Sequence, residues 1–141
     1  MIEILGIREV NKLFKKLDKV SQSVVTRSAK AGAKIARDDA KTNAPVSPGG
    51  GRLKRSIKMK AEKRKRMKKV YDIKFVGEGL AKISKNGKRS FYPVSQEYGW
   101  ITQSGKKTQG KRFLRNAIDN NRKTIRKVIL ATMLTELKKV K

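Results

Sequence analysis

Residues 53–75 read LKRSIKMKAEKRKRMKKVYDIKF. At both ends of this stretch the apolar period is two. Leu53, Arg55, Ile57 and Met59 alternate with Lys54, Ser56, Lys58 and Lys60, and Tyr71, Ile73 and Phe75 alternate with Asp72 and Lys74. Successive side chains of an extended chain point to opposite sides, so strict alternation marks a strand with one buried face. The spacing predicts two strands, with the basic run Lys60–Lys69 as the connection of their hairpin. Arg55 falls on the apolar side, where its stem can pack while its head reaches water.

Upstream, the period is that of a helix. Val10, Leu13, Phe14 and Leu17 stand at i, i+3, i+4 and i+7, one face of a short helix. Ser21 or Ser23 is suited to cap a second helix. That helix runs to about Thr42 with a stripe of small residues (Ala29, Gly32, Ala33, Ala36, Ala40) beside Val24, Val25 and Ile35. Small side chains permit close approach to a sheet or another helix. Asn43-Ala44-Pro45 ends it, because proline disfavours helix in the residue before it. Pro45 to Gly51 is a loop by composition.

Downstream, Gly77-Glu78-Gly79 marks a break, and Asn86-Gly87 is a short hairpin signal after Leu80, Ala81 and Ile83. Phe91 to Val94 reads as the return strand, with Pro93 placing it at an edge or a bulge. Gly99 to Gly110 reads as a polar loop. From Arg112 to about Lys139 the helical spacing returns with Leu114, Ala117, Ile118, Ile125, Val128, Ile129, Met133 and Leu137. The expectation is an α+β fold: a small antiparallel sheet packed against a long N-terminal and a long C-terminal helix.

Composition bounds the function. The chain has 141 residues with 38 Lys or Arg and 11 Asp or Glu, a formal charge of +27, and no His or Cys. The length suits one domain over residues 1–141. Without Cys there is no disulfide framework or thiolate metal site, and without His the commonest general base and zinc ligand are missing. No apolar run approaches the roughly 18 residues of a membrane span. The first six residues lack the basic and apolar regions of a secretory leader, so no secretion and no membrane partner are expected.

Residues 52–111 hold nineteen basic and four acidic side chains, more than half of the net excess. Lys60, Lys63, Arg64, Lys65, Arg66, Lys68 and Lys69 are the candidate electrostatic contacts, as a solvated hairpin tip or a polyanion-binding surface. Asp38 and Asp39 are the one adjacent acidic pair, and helix neighbours point about 100° apart, so they do not converge as an acid–base pair. Gly49 to Ser56 lacks the Gly-Lys-Ser/Thr end of a phosphate loop and precedes a strand. No catalytic, cofactor or metal residues are assigned, and no enzyme activity is expected. Tyr98 and Trp100 are candidate packing residues at an interface. Trp100 alternatively covers one end of the sheet.

Three landmarks then line up in order: a helix ending in Ala44-Pro45 followed by Gly51-Arg-Leu-Lys-Arg-Ser-Ile57, the segment Tyr92-Pro-Val-Ser-Gln-Glu-Tyr-Gly99, and Arg112-Phe-Leu-Arg-Asn-Ala117 opening the last helix. With Ile4-Leu5-Gly6-Ile7 before a short helix, this resembles the tail-completion (neck) protein family of tailed bacteriophages. It departs from the family pattern at Gly50-Gly51, Arg112 and Asn116, and in the basicity of Lys60–Lys69. The resemblance implies a tail-terminator-like subunit and a structural role in the virion neck, at the joint of head and tail, after synthesis in the host cytoplasm. The partners it implies are further copies in a ring, for which tail symmetry suggests a hexamer, the adjacent neck proteins, and the tail terminator or tail tube. Non-specific DNA contact in the channel is expected beside these. The charge alone supports a second reading, a sequence-indifferent nucleic-acid-binding protein.

Overall fold

The computed structural model describes residues 7–46, 51–63, 68–83, 87 and 89–139. The fold is α+β, with a long N-terminal helix, a small antiparallel sheet and a C-terminal helix.

Helix α1 spans Ile7–Asn43 without interruption. The expected break at Ser21–Ser23 is absent, and its 37 residues extend about 55 Å. Hydroxyls inside α1 are satisfied within it: Thr26 Oγ1 donates to the Gln22 carbonyl at 2.8 Å and Ser28 Oγ to Val24 at 2.7 Å. Back-bonding to an i−4 carbonyl gives a hydroxyl inside a helix a partner without ending the helix.

Gly51, in the left-handed region at φ 64°, opens helix α2 (Arg52–Ser56). Strand β1 follows at once as Ile57–Ala61. The strand expected from Leu53 is therefore a helical turn up to Ser56. Leu53, Ser56 and Ile57 are buried while Arg55 is exposed, a spacing of three and four rather than two. Ser56 Oγ closes the turn on the Leu53 carbonyl at 2.7 Å.

Strand β1 pairs antiparallel with β2 (Tyr71–Phe75) in the register Ile57↔Phe75, Lys58↔Lys74, Met59↔Ile73, Lys60↔Asp72 and Ala61↔Tyr71. This is the hairpin expected from the alternation. Its apolar face lies on α1, and Lys58, Lys60, Asp72 and Lys74 are all exposed on the other.

A second hairpin joins β3 (Ala81–Ile83) to β4 (Arg89–Phe91). Asn86 lies outside the described residues. The return strand stops at Phe91, and Pro93 sits in the first turn of helix α3 (Tyr92–Tyr98) rather than at a strand edge. Proline suits that position, because its missing N–H has no helical partner there. The expected loop Gly99–Gly110 contains a third hairpin, β5 (Gly99–Ile101) with β6 (Lys107–Gln109). The C-terminal helix is divided into α4 (Phe113–Asp119) and α5 (Arg122–Lys138). Asn121 Nδ2 donates to the Ala117 carbonyl at 2.9 Å across the joint.

The core lies where α1, α2, β1 and α4 meet. Ala40, Ala44, Leu53, Ile57, Phe113 and Ala117 are buried together, with Ile73, Phe75, Tyr92 and Leu114 packed against them. Phe75 meets Phe113 edge-on at 6.0 Å and Phe91 at 6.3 Å between ring centroids. Each such aromatic pair adds about 0.5–1.5 kcal/mol beyond burial. The small-residue stripe of α1 serves the close approach it suggested. A Cβ on Gly32 would stand 2.7 Å from Ile129 of α5, so the bare backbone makes room for that side chain. Arg27 pairs with Glu136 farther along, which makes α1 and α5 antiparallel.

Candidate functional site

Two surfaces stand out, one apolar and one cationic, and a buried carboxylate positions the first. Glu97, near the end of α3, is 3% exposed and is the one buried charged residue among the described residues. Its Oε2 accepts the Leu114 N–H at 2.9 Å and its Oε1 the Arg115 N–H at 3.1 Å. These are unpaired donors of the first turn of α4, which has no capping side chain of its own. Main chain reinforces the clasp: Lys111 N–H donates to Gln96 O at 2.9 Å and Arg112 N–H to Glu97 O at 3.0 Å. Arg112 takes the left-handed conformation (φ 47°) that turns the chain into α4.

Two glycines make the close approach at the clasp. A Cβ on Gly99 would lie 2.2 Å from Thr108 O, and one on Gly110 would lie 2.2 Å from Glu97 O. The Glu97-Tyr98-Gly99 segment and the Arg112-Phe113-Leu114-Arg115 segment are thus two halves of one joint. Hairpin β5–β6 projects from it.

Tyr98 and Trp100 lie at this joint. Tyr98 is 72% exposed, Trp100 43% and the adjoining Ile101 66%. Trp100 stands on its own hairpin, opposite Thr108. Tyr98 borders a shallow recess shared with Trp100 and Ile101. It also borders an open cleft of about 730 Å³ between β2, α3 and α4, where Ile73, Phe75, Val94, Leu114 and Ile118 form an apolar wall and Asp72, Lys74 and Arg115 a charged margin. The apolar surface is therefore continuous across Tyr98.

The cationic candidates divide. Lys60 is exposed on β1 opposite Asp72, and Lys63 and Lys68 are exposed at the hairpin tip. Arg64, Lys65 and Arg66 lie outside the described residues. Lys69 is engaged within the hairpin: its Nζ donates to the Glu62 carbonyl at 2.8 Å and lies 5.6 Å from the centre of the Tyr71 ring. Lys58 and Lys74 join this surface although the basic run does not include them. Their signal was the polar half of the alternation, which puts them on one face with Lys60. Glu97 gave no comparable signal, because its contacts reach 17 and 18 residues along the chain.

Most acids with ion pairs sit on helices. Asp38 pairs with Arg37, Asp119 with Arg115 and Arg122, and Glu136 with Arg27 and Lys139. The Lys139 ammonium, and then Arg27, hold the Glu136 carboxyl below its ordinary value of 4.5. Among the described residues no group of three or more acids could hold a metal ion, and no helix is long and apolar enough to cross a membrane.

An α+β chain with exposed apolar and cationic surfaces is the class the geometry defines. The family described as "Bacteriophage HK97-gp10, putative tail-component" matches residues 8–99, and the chain belongs to it. The match takes in α1, the β1–β2 hairpin, α3 and Glu97. Neither a curated protein nor a solved structure matches the chain. The family makes the chain a bacteriophage tail component, a protein of the virion.

Proposed function

We propose that this tail component is a structural, non-catalytic subunit of the neck, completing the tail where it joins the head, and that it works as a ring of identical copies around the DNA path. The observation that carries the reading is the apolar strip Val94–Tyr98–Trp100–Ile101 on the clasped joint. Isolated soluble proteins rarely expose large contiguous apolar patches, and Tyr and Trp are enriched where proteins meet. A ring closes by heterologous contact, one patch of each copy meeting a different patch on the next. The strip and the cleft it adjoins supply one of these patches. Adjacent neck proteins and the tail terminator or tail tube are the further partners of this reading.

The test is assembly. Particles produced without the chain are expected to accumulate as filled heads and separate tails. Joined particles of normal appearance would refute the neck assignment. Tyr98→Ala with Trp100→Ala is expected to leave the helical circular dichroism intact and to abolish incorporation. Incorporation at the normal level would remove the strip from the interface.

A further inference from the structure

We propose that the outward face of the β1–β2 hairpin, built on Lys58, Lys60 and Lys74, binds the phosphate backbone of duplex DNA. The proposal deepens the neck reading and rests on it for the presence of DNA beside the subunit.

The register is the first argument. Lys58 stands directly opposite Lys74. Like charges facing each other across antiparallel strands destabilise the pairing, so the fold gains nothing from this arrangement. Neither lysine has an ion pair or hydrogen bond among the described residues, and neither has Lys60, Lys63 or Lys68. The hairpin sequence from Ile57 to Phe75 holds nine basic and two acidic side chains. Asp72, opposite Lys60, is the one acid among the four strand residues of this face, so three lysines leave an excess of positive charge that calls for an external partner.

The chemistry of the face selects among polyanions. Its four strand residues are Lys58, Lys60, Asp72 and Lys74, with no aromatic or aliphatic residue among them, and only its β2 edge, at Asp72 and Lys74, borders the cleft that Tyr98 lines. Protein interfaces are depleted in lysine and are anchored by desolvated aromatic and apolar residues, which this chain carries elsewhere, at Tyr98 and Trp100. Binding to nucleic-acid backbone needs only cations that displace condensed counterions. Single-stranded nucleic acid is disfavoured, because no ring on this face offers a stacking platform. The face also lacks the Arg, Asn and Gln that read base edges in pairs of hydrogen bonds, so the contact is indifferent to sequence.

The experiment uses the full chain and a labelled random-sequence DNA duplex, with fluorescence anisotropy read over a series of salt concentrations. Three proteins are compared: the unaltered chain, the Lys58→Gln, Lys60→Gln, Lys74→Gln variant, and a control with Lys123→Gln, Arg126→Gln and Lys127→Gln on the exposed face of α5. Both variants lose three charges. The hairpin variant is expected to lower the slope of log affinity against log salt by about 2.7, at about 0.9 per phosphate contact, and the control by less than about 1. Equal falls in the two variants would reduce the effect to overall charge and overturn the proposal. So would absence of binding by the unaltered chain, or displacement of the duplex by poly-glutamate at matched charge, which would assign the face to an acidic protein. Ring formation by the hairpin variant is followed separately by electron microscopy. Intact rings with a reduced slope leave both readings standing. A normal slope removes only the DNA contact, and loss of joined particles in the chain's absence is still read on its own.

Discussion

The joint at Glu97 and the outer face of the β1–β2 hairpin treat charge in opposite ways. At the joint one carboxylate is buried, and both of its oxygens are occupied by backbone N–H groups of α4. On the hairpin, Lys58 and Lys74 face each other in water with no ion pair or hydrogen bond among the described residues. The first arrangement helps to hold the subunit together, and the second weakens it slightly. A feature that costs stability in the isolated chain is a pointer to what the chain meets outside itself, whereas a fully satisfied buried charge points inward to architecture.

The comparison breaks first at the joint. Phe113 opens α4, is buried, and meets Phe75 edge-on. Phe113→Ala is expected to cost about 3–5 kcal/mol, read as a lowered denaturant midpoint. A loss under about 1 kcal/mol would mean that α4 is not docked as described. Glu97→Gln keeps the shape but replaces one acceptor oxygen with an amide donor facing an N–H. A loss of about 1.5–3 kcal/mol is expected, the range for a hydrogen bond to a charged group. An unchanged melting temperature would show that Glu97 does not cap α4.

The hairpin should respond with the opposite sign. Lys74→Glu places an opposite charge across from Lys58 and is expected to stabilise the subunit by about 0.2–1 kcal/mol. The same change should weaken DNA binding and lower its salt slope by about 0.9, since one phosphate contact is removed. A variant that is more stable and binds less would separate the two roles of charge most clearly. One that is less stable would show that Lys74 supports the fold by some contact the register does not reveal.

How far these regions were legible in the sequence follows from the range of their interactions. The hairpin face was written locally: the alternation around Ile57–Met59 and Tyr71–Phe75 gave the strands and put Lys58, Lys60 and Lys74 together. The stripe Ala29–Gly32–Ala33–Ala36 gave the close face of α1. What local pattern misread was decided by contacts or by backbone. Leu53 alternates with its neighbours yet belongs to a helical turn, because Gly51 starts one and Ser56 closes it. Pro93 fits a strand edge and a helix start equally well by itself, and the hydrogen bond from Tyr92 N–H to Leu80 O at 3.0 Å fixes where the strand gives way. Hairpin β5–β6 depends on Gly99 and Gly110 approaching across ten intervening residues, which no window of side-chain pattern records. Glu97 looked like any acid until α4 was folded against it.

The smallest effect tests the same contrast on the helices, where a carboxylate largely covered by the chain is paired with cations that reach into water. Glu136 of α5 bonds to Lys139 and Arg27 of α1, and these cations lower its carboxyl from the ordinary 4.5. A folded value below the unfolded one means that the native state favours the ionised form. The contribution is therefore complete at neutral pH, begins to fall as the pH drops toward 4.5, and is lost once it passes below the lowered folded value. Glu136→Gln should flatten this part of the acid limb of stability against pH while changing little at neutral pH, since ion pairs whose cations stand in water contribute little. High salt should shrink the same difference by screening it. Glu97→Gln should lose stability at neutral pH and in high salt alike, because its partners are backbone dipoles held out of water. If salt rescued the Glu97 variant, or acid left the Glu136 pair untouched, the division between backbone-capped and ion-paired charge in this chain would be wrong.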